Sequence, residues 1–146
     1  MKRLLLVFAL SVFLVSCQTA QVSVPLDTQV ASTYDNSEFG FSIGVPAGWT
    51  YEEGAYGTIV TLMSFMEDAD DMFGENINVT TEEVPVGMTS LQYFNASTVA
   101  LKAYLAGFKV HKKGTAIIDG ATAHWLIYSF ALDDFKVKGK VFMLTK

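Results

Sequence analysis

Three stretches of the 146-residue chain hold side chains whose type and spacing could do chemistry. Gly40-Phe41-Ser42-Ile43-Gly44 matches G-x-S-x-G, the pattern around the nucleophilic serine of many hydrolases, and His111 and His124 are candidate bases. The acidic run Glu67-Asp68-Ala69-Asp70-Asp71 offers hard oxygen ligands of the kind calcium prefers. Cys17 is the single cysteine, so an intramolecular disulfide or a thiolate metal cage is impossible.

The elements required around these residues decide among the readings. A hydrolase elbow needs a strand before the serine and a helix directly after it. Here Ile43-Gly44-Val45-Pro46-Ala47-Gly48 follows, which cannot start a helix, and Ser42 alternates with Phe41 and Ile43 as strand residues do. Ser42 is therefore read as a strand serine, with a serine hydrolase kept as the third function considered. His124 has the parity of Leu126, Tyr128 and Phe130 on an apolar strand, and His111 lies among Lys109, Lys112 and Lys113, facing solvent. Neither has a partner at ligand spacing. An EF-hand register begun at Asp68 puts Met72 and Phe73 where a ligand and the glycine belong, so the acidic run reads as a solvated loop. Asp68, Asp70 and Asp71 stay as candidates for a calcium-binding alternative. No firm metal site, cofactor or catalytic residue is assigned.

Cys17 points elsewhere. Met1-Lys2-Arg3 precedes an apolar stretch from Leu4 to Val15, the order of a signal peptide, and the stretch is shorter than the ~20 residues of a membrane-spanning helix. Leu14-Val15-Ser16-Cys17 resembles the lipobox of bacterial lipoproteins. That resemblance implies cleavage before Cys17, acylation of its thiol and residence in the cell envelope, facing the extracytoplasmic side. More than one acyl chain would anchor the protein stably to the bilayer. Residues 1–16 are read as the signal peptide, 17–37 as the lipidated cysteine with a flexible tether, and 38–146 as one folded domain.

Charge is unevenly distributed. Loss of Lys2 and Arg3 would take the net charge from −5 to −7 and leave no arginine. All remaining basic residues are eight lysines from Lys102 onward, with three acids beside them, whereas twelve acids precede Lys102. Lys136, Lys138 and Lys140 share one parity of a strand. The two halves are expected to interleave and mix their charges; an uncompensated lysine face would attract anionic lipid or an acidic partner. The absence of arginine weighs against nucleic-acid binding.

Periodicity predicts strands at 39–45, 49–53, 58–66 and 77–84. Leu91, Phe94, Thr98, Leu101, Leu105 and Phe108 then recur at helical spacing, with Thr89 and Gln92 as a capping box and Gly107 as the stop. Strands return at 108–119, 121–132 and 136–145. The fold class is α+β, with a mostly antiparallel sheet and one long helix. Because the chain stops within an apolar strand, an open sheet edge or an uncovered face is expected, and with it a C-terminal truncation.

Phe39-Gly40-Phe41-Ser42-Ile43-Gly44-Val45-Pro46-Ala47-Gly48-Trp49 resembles the F-x-I-x-V-P-x-x-W opening of the PsbP-like and DcrB-like superfamily. The similarity continues through Asn76-Ile77-Asn78-Val79, Gly87-Met88-Thr89-Ser90-Leu91 and Gly120-Ala121-Thr122-Ala123 to the lysine-rich strand. It implies an α/β/α sandwich with a further strand and helix at the C-terminus, and a protein that is not an enzyme. The expected function is a membrane-anchored binding or assembly module for an envelope or membrane protein complex. The alternative is a calcium-binding accessory subunit, of the photosystem II extrinsic type if the host is phototrophic.

Overall fold

A computed structural model of the chain describes residues 2–10, 30–66, 68 and 74–146, the first of these segments by its backbone. Nine strands, one α-helix and a single 3-10 turn (Ala55–Gly57) occupy them: β1 (Lys2–Leu10), β2 (Val30–Asn36), β3 (Phe41–Pro46), β4 (Thr50–Glu53), β5 (Val60–Met63), β6 (Asn76–Val84), α1 (Ser90–Tyr104), β7 (Lys109–Ile118), β8 (Ala121–Leu132) and β9 (Phe135–Thr145). Seven strands form one sheet in the order β4-β5-β6-β1-β9-β8-β7, every neighbour antiparallel, and β2-β3 is a separate hairpin. The class is α+β, as the alternation of periods predicts.

Each element follows from local chemistry. The β3 strand ends at Pro46, and the turn to β4 closes through Trp49 N–H to the Pro46 carbonyl at 3.1 Å, with Gly48 at φ +80°. The helix begins at the capping box: Thr89 Oγ1 accepts from Gln92 N–H at 3.2 Å, and Gln92 Oε1 accepts from Thr89 N–H at 2.9 Å. Two otherwise unpaired donors of the first turn are thereby satisfied. Its buried stripe is rotated from the expected one. Tyr93 and Phe94 are buried while Leu91 is 51% exposed, because the Tyr93 hydroxyl reaches back to Glu82 on β6 and turns that side of the helix onto the sheet.

Residues directly opposite one another in a ladder point to the same side. One side of the sheet carries Leu126, Tyr128, Val141 and Met143, which pack with Tyr93 and Phe94 of α1. The other side carries Val60, Leu62 and Val79, which pack with Tyr34 and Val45 of the hairpin. The sheet thus has a helix on one face and a two-stranded layer on part of the other. Fully burying a side chain of the Leu126 or Leu62 kind contributes about 1.5–3 kcal/mol, which locates the principal stabilisation in these two clusters.

Two expectations change. Residues 30–36, placed within the tether, are a strand of the fold. Tyr34 is 4% exposed, donates to Glu53 Oε1 at 2.7 Å and accepts from Asn36 Nδ2 at 2.9 Å. A buried aromatic with both sides of its hydroxyl bonded cannot belong to a solvated coil, so residues 30–36 are part of the folded unit. The sheet edge expected at β9 is also absent. In the full chain β9 is paired to β8 on one side and to β1 on the other, and β1 separates it from β6. The actual edges are β4, only four residues long, and β7, whose Lys109, Lys112 and Lys113 discourage edge-to-edge pairing.

Candidate functional site

The helix lies mainly over β8 and β9 and reaches β6 at Glu82 and Val84. Beside it, over β5 and β6, lies an open groove of about 720 Å³. Its floor is set by strand parity: Asn76, Asn78 and Thr80 are the β6 residues opposed to Ile77 and Val79, which go to the hairpin core. Met63, Leu101, Leu105, Tyr128 and Phe130 supply apolar walls, and Tyr56 stands at the rim, 93% exposed.

The floor is a chain of neutral hydrogen bonds. Thr58 Oγ1 and Thr61 Oγ1 are 2.9 Å apart, Thr61 donates to Asn78 Oδ1 at 2.8 Å, and Asn78 Nδ2 donates to Asn76 Oδ1 at 2.7 Å. Pairing of this kind offsets the cost of taking polar groups out of water. Carboxamides and hydroxyls in a row can read the backbone of an extended segment, while the apolar walls accept its side chains. Tyr128, on the wall, has its hydroxyl pushed up to about 12 by burial and stays neutral at ordinary pH.

Residues singled out from the sequence lie apart from this groove. Ser42 is exposed on β3 opposite Asp35 and lines a separate hollow with Asn36, Gly40, Ile118, Asp119 and Lys146. Neither histidine lines that hollow. His111 is exposed, with Nε2 2.8 Å from Ser129 Oγ, and His124 is half-buried with its ring 5.6 Å from Phe94. The strand reading of Ser42 and the facings of both histidines agree with the sequence expectation. Asp68 is exposed, whereas Asp70, Asp71 and Cys17 lie outside the described residues. Among the described residues no three His, Cys, Asp or Glu side chains come together at metal-binding range, and no helix is long and apolar enough to cross a membrane.

Sequence reasoning did not single out the groove. Its only sequence signal is the polar parity of β6, Asn76-x-Asn78-x-Thr80, on a strand whose other parity is apolar.

Comparison with known proteins adds no identity. No family model matches the chain, and no curated protein matches it. Among solved structures, a protein of unknown function from Pseudomonas aeruginosa, PA94, is 18% identical, with 79% of this chain and 81% of that chain covered and a TM-score of 0.34. A score at that level carries no inference about fold or function here.

Proposed function

We propose that this chain is a lipid-anchored binding module of the bacterial envelope, not an enzyme, and that the groove beside α1 takes an extended segment of a membrane or envelope protein. The observation that supports it is the groove floor, in which Thr58, Thr61, Asn78 and Asn76 present neutral hydrogen-bonding groups between apolar walls. The anchor rests on the lipobox resemblance at Cys17, and the non-enzymatic role on the resemblance to the PsbP-like and DcrB-like superfamily. With that resemblance goes a finer architecture, an α/β/α sandwich continuing past Lys146. A reading frame that runs on beyond this codon would support it, and a stop codon would count against it.

Photocrosslinkers at Tyr56 and Phe130 of the acylated protein, followed by recovery from membranes, should capture one defined envelope protein. Repeated capture of none would overturn the reading. Separately, Cys17→Ser should move the protein out of the membrane fraction; retention there would dismiss the lipobox.

A further inference from the structure

The sheet face opposite α1 is covered by the hairpin over β5 and β6, and its β7-β8-β9 part presents a lysine array. The ladders set it out in rows. Lys109, Ser129 and Lys138 lie side by side, then Lys112, Ile127 and Lys140, then Gly114, Trp125 and Phe142. Lys136, two residues before Lys138 on β9, has the same facing. Five lysines from two strands that are not adjacent are thus brought to one side, Lys109 and Lys112 together by the register shift between Val110 and Lys112. A sixth, Lys113, alternates to the helix side of β7.

Below the lysine rows sits an aromatic pair. Trp125 and Phe142 are half-buried, and Lys140 Nζ lies 4.9 Å from the indole centroid and 4.5 Å from the phenyl centroid. The ammonium is held over the ring faces by their quadrupoles while its stem covers them.

We propose that this face lies on the surface of an anionic phospholipid bilayer. Three observations favour lipid over a protein. The charges are all lysine, compact point charges suited to a diffuse layer of phosphate and not to bidentate docking of one carboxylate. They are spread over rows of a sheet, a broad surface matching a plane rather than a peptide. The adjoining half-buried indole, whose N–H donates to the Thr115 carbonyl at 3.2 Å, is an aromatic of the kind enriched at headgroup level. The inference deepens the reading of a lipid-anchored protein and rests on it for its biological setting. The acyl chains would tether the domain, and the lysine rows would orient it with the groove, on the opposite face, turned away from the lipid.

The test uses the full-length chain carrying Cys17→Ser, so that no acyl chain contributes, and vesicles of phosphatidylcholine with and without phosphatidylglycerol. Sedimentation should show binding that needs phosphatidylglycerol and weakens with added salt. Each lysine neutralised should weaken it on the order of fivefold, so Lys112→Gln with Lys140→Gln falls well below the parent. Lys113→Gln, facing the other way, should bind as the parent does. Two results overturn the proposal: equal binding by the double variant and the parent, or a double variant that loses thermal stability while vesicle binding is unchanged. The latter would assign the lysines to pairing within the protein. Capture of an acidic protein in the absence of vesicle binding would replace the bilayer with that partner. Failure of Cys17→Ser to leave the cell membrane fraction would remove the lipobox while leaving the vesicle result standing.

Discussion

The phenol of Tyr128 on β8 lies across Gly139 on β9, so close that a β-carbon at 139 would sit 2.8 Å from the ring Cζ. Both residues are buried, and the ring is held from its other sides by Phe108 at 5.5 Å and Phe130 at 6.0 Å between centroids. The glycine is there for the space it leaves. Gly139→Ala should destabilise the protein by about 1–3 kcal/mol, since the ring must leave its packing against Phe108 and Phe130 to make room. Urea denaturation measures this, and an unchanged midpoint would show that the ring can move.

The same phenol sets a pH dependence. An exposed tyrosine ionises near pH 10, as it does in the unfolded chain, whereas burial raises Tyr128 to about 12. The contribution is therefore intact below about pH 10 and is lost as pH rises through about 12, because the unfolded state gives up its proton first. Stability followed across that window should fall with rising pH, and Tyr128→Phe should lessen the slope. Tyr93, raised by burial and then by its bond to Glu82, has the same sign and would keep part of the slope.

Thr89→Ala should remove the side-chain cap on Gln92 N–H and destabilise by about 1 kcal/mol. Thr89→Ser should restore most of it. Helix content by circular dichroism and the denaturation midpoint read the two together.

Asn78→Ala breaks the groove floor at its centre. The nearly buried Thr61 hydroxyl loses its acceptor, with Thr58 left as its other partner, so a cost of about 1–2 kcal/mol is expected. If the groove is the binding site, crosslinking from Tyr56 should also drop. Loss of stability with undiminished crosslinking would place the partner elsewhere.

Processing before Cys17 would remove β1, the strand that joins β6 to β9. Amides of β6 and β9 should then exchange with deuterium faster in a chain lacking residues 1–16 than in the full chain, while those of β7 and β8 keep their protection. Equal protection in both chains would mean that β6 and β9 find another pairing once β1 is gone.

Much of the fold is legible along the chain, because it depends on neighbours within a few residues. The capping box at Thr89 and Gln92, the turn at Pro46 to Gly48 and the two-residue alternation of β6 each declare an element. The strand facings of Ser42 and His124 follow from that alternation too. The N-terminal boundary was not legible, because Tyr34 sits in a stretch without an apolar period and is claimed by Glu53, nineteen residues away.

The sequence by itself determined the element types from Phe41 onward, the antiparallel α+β class and the concentration of all late basic charge in lysines. The tertiary structure decided which elements are neighbours. It set residues 2–10 between β6 and β9, opened a groove over Asn76 and Asn78 where α1 stops short, and aligned Lys109 with Lys138 across Ser129. The physical reason is range. Period and capping are local properties of the backbone, whereas the register that brings distant strands level is fixed only when their buried faces pack together.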